Sequence, residues 1–235
     1  MKAMIFAAGL GTRLRPLTND RPKALVEFKG RPLLEHTIEK LRTADVNHVI
    51  VNVHHFADKV IDFLNSKNFG VKISISDERD ELLDTGGGLR KAAQLLGNEP
   101  FFIHNVDILS DIDLSKMMKN HIKSDAIATV AVRKSDADRY FVQNNENQLC
   151  GWGNNTTGEK IISRTVDVLE KVAFTGIHIV SGKLFEYIKP EGAVSIIDAY
   201  LKAAEKENIL CYSSDNNKWI DVGTPEALKQ GELLF

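Results

Sequence analysis

The sequence predicts an α/β fold: a Rossmann-like, mostly parallel sheet with helices on both faces and a small substrate-side insertion. Three observations carry this. Apolar runs of strand length recur at residues 4–8, 48–53, 71–76, 101–104, 126–132 and 172–180. Stretches with helical spacing lie between several of them, the alternation that builds a parallel sheet covered on both sides. The length of 235 residues suits one α/β domain, 1–235, long enough to bury a full core.

The elements follow in order. The run 4–8 is a buried strand that ends in a glycine turn. Arg31-Pro32 opens a helix with Leu33, Leu34, Ile38 and Leu41 on one face. The strand 48–53 leads to a second helix marked by Phe56, Val60, Ile61 and Leu64. The strand 71–76 precedes Gly86-Gly87-Gly88 and a third helix marked by Leu89, Ala92, Ala93, Leu95 and Leu96. After the strand 101–104, a further helix begins near Asp111 and Asp113. The segment 133–171 is rich in Asn, Asp, Gly and Lys, with turns at 143–148 and 151–158. It reads as the substrate-side insertion. A helix at 194–207, a strand at 209–212 and a last helix complete the chain. Thr224 is placed to cap that last helix, with Pro225 at its first position.

Composition excludes several classes of function. The net charge of −2 supplies no bulk basic field for nucleic acid. No apolar stretch approaches the ~18 residues of a membrane span. Met1-Lys2-Ala3 leads straight into a strand without a secretory cleavage pattern. Cys150 and Cys211 are far apart and lack metal partners at useful spacing. A cytoplasmic monomer or small homo-oligomer is the expectation. His54, His55 and His104 lack a third ligand at suitable spacing and read as structural. No G-x-S-x-G elbow is present.

The richest stretch is KAMIFAAGLGTRLRPLTNDRPKALV, residues 2–26. The small residues Ala7, Ala8, Gly9 and Gly11 let another molecule approach the backbone, and free N–H groups in such a loop seat anions. Arg13, Arg15 and Lys23 add fixed positive charge, so the stretch points to phosphate. It is not a P-loop, which needs GxxxxGK[ST], nor a dinucleotide fingerprint, whose third glycine is replaced by Leu14. For the Gly-Leu-Gly alone, a plain turn with solvated arginines would suffice; the whole string favours the functional reading.

Three further constellations stand out. Asp107 follows the strand 101–104, and ligands of open α/β sheets bind beyond the carboxyl ends of strands. Its carboxylate is placed to hold Mg2+, which takes one or two carboxylates together with phosphate oxygens and water. A loop or N-cap role for Asp107 stays open on spacing alone. Asp221, in WIDVGTPEAL, stands just before a capping box for the last helix, which leaves its carboxylate uncommitted. The string Glu81-Leu82-Leu83-Asp84-Thr85-Gly86-Gly87-Gly88 suits close approach of backbone to a flat ligand.

The string AAGLGTRLRPLTNDRPKALV resembles the signature of the sugar-1-phosphate nucleotidylyltransferases, roughly GxGTRLxPLT followed by PKxLxP. Glu27 stands where the signature's last proline would be. The resemblance implies NTP and a sugar 1-phosphate as partners, and NDP-sugar and pyrophosphate as products. It implies Mg2+ held by Asp107 and Asp221, with Val106 replacing the family's glycine and Gly223-Thr224 matching. It implies catalytic roles for Arg13, Lys23 and Asp107, and nucleotide contacts from Ala8, Gly9, Leu10, Gly11, Thr12, Arg13, Lys23, Thr85, Gly86, Gly87 and Asn105. On the sugar side it implies Glu81, Arg139, Tyr140, Gly176 and Lys171. Phe141 and Val172 depart there from a family glycine and proline. The strings DTGGG and FTGI are most similar to members that use UTP and N-acetylmuramate 1-phosphate. Mannose- or heptose-1-phosphate guanylyl transfer is the alternative. A non-catalytic subunit that senses nucleotide sugars is the alternative of another class.

Overall fold

The computed structural model describes residues 1–165 and 169–235; residues 166–168, inside the predicted insertion, lie outside the described residues. The chain runs β1 (Lys2–Phe6), β2 (Glu27–Phe28), β3 (Arg31–Pro32), α1 (Leu33–Thr43), β4 (His48–Val53), α2 (Ala57–Asn65), β5 (Lys72–Asp77), α3 (Asp84–Lys91) and α4 (Ala93–Leu96). It continues with β6 (Phe101–Asn105), β7 (Ile108–Ser110), α5 (Leu114–Lys123), β8 (Ala128–Arg133), β9 (Arg139–Gln143), β10 (Leu149–Asn154), β11 (Lys160–Ile162) and β12 (Glu170–Val180). It ends with α6 (Ile196–Ala204), β13 (Ile209–Ser213), β14 (Trp219–Asp221) and α7 (Pro225–Leu234).

The parallel centre of the sheet has the order β5-β4-β1-β6. β4, β1 and β6 are buried on both faces, which is why they read as apolar runs, whereas β5 at the edge, KISISD, is mostly half-buried. Alternate residues of β1 serve different cores. Ala3 and Ile5 pack with Leu34 and Ile38 of α1, Val60 of α2 and Met117 of α5. Met4 and Phe6 pack with Leu89 of α3, Leu96 of α4 and Tyr200 of α6. The chain builds outward from β1 to β4 and β5, then returns to place β6 on the other side of β1. The carboxyl ends of β1 and β6 therefore part at a topological switch point, the place where open α/β sheets take ligands.

Beyond β6 the sheet turns antiparallel, apart from β13, which runs parallel to β8. The eleven-residue β12 pairs with β6, β8 and β9, and β9 extends through β10 to β11. The predicted insertion is thus a meander continuing the main sheet. The turn at 143–148 is present, whereas 151–154, the first part of the turn read at 151–158, belongs to β10. The glycines there answer a packing need. A Cβ at Gly153 would lie 2.5 Å from the Tyr140 hydroxyl, and one at Gly151 would strike the Ile161 carbonyl.

The glycine triplet also differs from expectation. It lies inside α3, which starts at Asp84. A Cβ at Gly86 would sit 2.9 Å from the Val194 carbonyl, and one at Gly88 would sit 2.6 Å from Glu78 Oε1. The entropy lost at these glycines allows two parts of the protein to touch backbone to backbone. Asp113, not Asp107, caps α5, through Lys116 N at 2.8 Å. Thr224 Oγ1 accepts from Ala227 N at 3.2 Å, with Pro225 next, as the last-helix reading expects.

Candidate active site

The glycine turn after β1 is held from beneath. Gly11 adopts φ +67°, a left-handed conformation open to glycine, and Thr18 Oγ1 donates to its carbonyl at 2.8 Å. A Cβ at Gly11 would lie 3.0 Å from the Thr18 methyl and 3.1 Å from the Lys23 Cβ. Upstream, the Ala7 N–H donates to Asn52 Oδ1 at 2.7 Å. This folding leaves Ala8 and Gly9 at the edge of a cavity of about 520 Å³, outside the ends of β1, β4, β5 and β6. Arg13, Lys23, Asp107 and Asp221 border the same cavity.

Two strands missed in the sequence bring the aspartates together. β7 begins one residue after Asp107, and β14 pairs with it antiparallel, placing Asp221 opposite Ile108. The Val222 N–H donates to the Asp107 carbonyl at 2.9 Å, tying the two segments at the backbone. Each carboxylate then meets one cation. Lys23 Nζ lies 2.7 Å from Asp107 Oδ2, the side chains being 17% and 7% exposed. Arg13 Nη2 lies 3.3 Å from Asp221 Oδ2 in a far more open setting, where an ion pair contributes little by itself. The other Asp221 oxygen accepts from Gly223 N at 2.8 Å.

These residues fit a divalent cation. Two carboxylates edge one cavity, and the Lys23 ammonium sits on one of them as a stand-in positive charge. Oxygen donors in that number, with room for phosphate and water, suit magnesium. Among the described residues there is no group of three or more His, Cys, Asp or Glu placed to hold a metal.

A second cavity of about 350 Å³ adjoins the first, and Phe6, Asp84, Thr85 and Asn105 border both. Its walls are the aromatic rings of Tyr140, Phe141, Trp152 and Phe174, with Arg139 and Ser195 also on its boundary. The Thr85 hydroxyl accepts from Ile196 N at 2.9 Å, fastening the shared wall to the start of α6.

The remaining sequence candidates fall elsewhere. Leu10, Gly11 and Thr12 shape the turn without bordering either cavity. Gly86 and Gly87 both donate to the Val194 carbonyl, at 2.8 and 3.2 Å. Their missing side chains make room for chain, so they do not open onto the cleft. Gly176, at φ +78°, carries Asn105 instead, since a Cβ there would lie 2.8 Å from Asn105 Nδ2. Glu81 is exposed and borders neither cavity. Lys171 also borders neither. Its Nζ lies 4.2 Å from the Tyr140 ring centroid and donates to Asn155 Oδ1 at 3.2 Å.

Sequence reasoning missed Asn52 and Glu78, which border the first cavity. Asn52 Nδ2 donates to Glu78 Oε1 at 2.8 Å, and burial pushes the Glu78 carboxyl above its ordinary range. The signal was one asparagine in the otherwise apolar VIVNV, where a buried amide must have found polar partners. Of the three histidines read as structural, two make backbone hydrogen bonds. His54 Nδ1 bonds the Glu78 carbonyl, and His104 Nδ1 bonds the Asn105 carbonyl.

The family model described as Nucleotidyl transferase matches residues 2–233. The chain belongs to that family. The resemblance read in its N-terminal string therefore holds, and the protein is a nucleotidyltransferase. It is 33% identical over 238 residues to the N-acetylmuramate alpha-1-phosphate uridylyltransferase of Caulobacter vibrioides, covering 96% of this chain and 93% of that protein. It is also 33% identical to the mannose-1-phosphate guanyltransferase of Yarrowia lipolytica, covering all of this chain but 64% of the relative. Among solved structures, HddC of Yersinia pseudotuberculosis, complexed with GMP-PN, superposes with a TM-score of 0.78 at 22% identity. That match covers 99% of this chain and 98% of the other. It speaks for the nucleotidyltransferase fold. No described helix is long and apolar enough to cross a membrane.

Proposed function

We propose that this nucleotidyltransferase joins an NTP and a sugar 1-phosphate into an NDP-sugar with release of pyrophosphate. One observation carries the reading: Arg13, Lys23, Asp107 and Asp221, scattered in sequence, edge one cavity at the switch point of the sheet. UTP with N-acetylmuramate 1-phosphate or a related sugar is the leading substrate pair, supported by the similarity to the Caulobacter relative over nearly the whole of both chains. Mannose- or heptose-1-phosphate guanylyl transfer is the second reading, supported by the Yarrowia relative.

The nucleotide takes the larger cavity, its phosphates against Ala8 and Gly9 and its base toward Asn52 and Thr85. The sugar phosphate takes the aromatic cavity beyond Asn105, beside Arg139 and Tyr140. An oxygen of the sugar phosphate attacks the α-phosphorus in line. The new phosphorus–oxygen bond forms as the bond to the β-phosphate oxygen breaks, and that electron pair leaves with pyrophosphate. No covalent enzyme intermediate is needed; positioning and charge stabilisation supply the rate. Lys23 leaves Asp107 to meet the α-phosphate and the incoming phosphate, while Arg13 meets the departing β- and γ-phosphates. Mg2+ held by Asp107 and Asp221 would neutralise charge between the reacting phosphates. Gly176 acts by carrying Asn105, and Lys171 acts by holding Tyr140.

The test is a panel of four NTPs against several sugar 1-phosphates with Mg2+, read as pyrophosphate release. One strongly preferred pair is expected. No release from any pair, with folded protein, removes the proposal.

A further inference from the structure

Four carboxylates border the larger cavity: Glu78, Asp84, Asp107 and Asp221. Three are committed. Asp107 holds Lys23, Asp221 holds Arg13, and Glu78 is buried against the Asn52 amide. Asp84, the first residue of α3, is exposed and makes no ion pair among the described residues. Its Oδ1 accepts from the N–H of the next residue, Thr85, at 2.6 Å, and its Oδ2 has no partner among the described residues. Its backbone stands at φ +57°, the left-handed region, where glycine rests more easily than aspartate. A charged, unmatched acceptor is thus held on the wall that both cavities share.

Charge decides what meets this carboxylate. It does not join Asp107 and Asp221 around one cation, because among the described residues no three such groups are placed to hold a metal. It repels phosphate. Phosphates therefore keep to the side of Ala8, Gly9 and Lys23, and of Asn105, which precedes Asp107 by two residues. The sugar rings remain for the Asp84 side. Every NTP brings a ribose with two hydroxyls whatever its base, and a sugar phosphate brings ring hydroxyls. The neutral hydroxyls nearby already accept from backbone: Thr85 Oγ1 from Ile196 N at 2.9 Å, and Ser195 Oγ from Ile197 N at 3.2 Å. A hydroxyl that donates to a carboxylate makes a charge-assisted bond, stronger than one to a neutral oxygen.

We propose that Asp84 is a specificity-determining residue whose free carboxylate oxygen accepts a hydrogen bond from a ring hydroxyl of a bound substrate. That hydroxyl belongs to the ribose of the NTP or to the acceptor sugar, the two rings that meet at the shared wall. An acidic side chain that reads ribose hydroxyls is a device of dinucleotide-binding α/β folds. The assignment rests on the transfer reaction proposed above.

Isothermal titration, which needs no turnover, tests it in two arms with the NTP and the sugar 1-phosphate of the panel that bind most tightly. One arm compares the NTP with its 2′-deoxy and 3′-deoxy analogues. The other compares the sugar 1-phosphate with its single-deoxy analogues. Wild-type protein is expected to bind a deoxy form of one substrate about tenfold more weakly than its parent. The arm in which this occurs assigns the hydroxyl to the ribose or to the acceptor. In Asp84→Gly, whose backbone accepts φ +57° freely and should melt close to wild type, that ratio should fall to near one. The ratio for the other substrate should stay as in wild type. Asp84→Asn, which keeps an amide oxygen, should retain part of the discrimination. Unchanged ratios in folded Asp84→Gly overturn the proposal, and so does a wild type that binds every deoxy analogue as well as its parent. If substrates bind but no pair supports transfer, the reaction reading fails while the Asp84 ratios still decide this one.

Discussion

Lys23 Nζ and Asp107 Oδ2 stand 2.7 Å apart at the wall of the larger cavity, so the cation proposed to meet phosphate and the carboxylate proposed to hold metal neutralise one another there. The pair is nearly desolvated, unlike the Arg13–Asp221 pair with its 63% and 36% exposed side chains. Separating the first pair in an otherwise empty site leaves a buried charge uncompensated. It separates readily only when phosphate takes the ammonium and a divalent cation takes the carboxylate together.

This makes Lys23→Met a diagnostic substitution. Without the ammonium, Asp107 is open, and Mn2+ or Mg2+ alone should bind about tenfold more tightly, a usual scale for coupling between sites. Nucleotide binding should weaken in the same variant. Isothermal titration with each ligand alone checks both. Metal affinity that stays equal or drops contradicts the stand-in role of Lys23.

Gly86→Ala should destabilise the fold by about 1–3 kcal/mol, the usual result of forcing atoms into a packed site. The new Cβ would meet Val194 and Ser195 backbone atoms at 2.9–3.0 Å, and backbone there is fixed by the hydrogen bonds to Gly86 and Gly87. Urea denaturation measures the loss. A variant as stable as wild type would show that α3 and the 192–195 segment separate freely.

The fold was legible in the sequence wherever burial alone set the pattern. The runs IFA, VIVNV and FFIH are central strands because both faces are covered. What escaped was set by long-range contact. β7 and β14 are three residues each and form only by pairing with each other, yet they deliver Asp221 to Asp107. Gly86 and Gly87 looked like a loop because the backbone they touch, at Gly192, Val194 and Ser195, lies more than a hundred residues away. Asp107 and Asp221 were legible as carboxylates by their neighbours. Their cations needed the tertiary structure.

The buried histidines predict how stability depends on pH. Burial pushes His104 down to about 4 and His178 to about 3. The unfolded chain takes up protons at these residues near 6.5, while the native state does not until far lower pH. Stability is therefore complete above about 6.5 and falls on acidification, by roughly 2 kcal/mol per imidazole between pH 7 and 5. Denaturation at the two pH values checks this. His178→Phe, if folded, should flatten part of the slope; an unaltered slope assigns the loss to other groups.

Lys171 is expected to act through Tyr140. The ammonium over the ring supplies about 0.5–1 kcal/mol, so Lys171→Met should raise KM for the sugar phosphate about twofold to fivefold. A lysine bonded directly to phosphate would forfeit about 1.5–3 kcal/mol, a loss above tenfold. Steady-state kinetics separates the two ranges, and the larger one returns Lys171 to the phosphate.

The most direct measurement is Mn2+ binding, followed by electron paramagnetic resonance, in the presence of a non-hydrolysable UTP analogue. Wild-type protein should hold one ion per chain. Asp107→Asn and Asp221→Asn should each lose it while staying folded, and the double variant should bind no worse than either single one, because the two carboxylates act on one ion. Full Mn2+ binding by either single variant, with folding intact, would contradict a shared cation between Asp107 and Asp221.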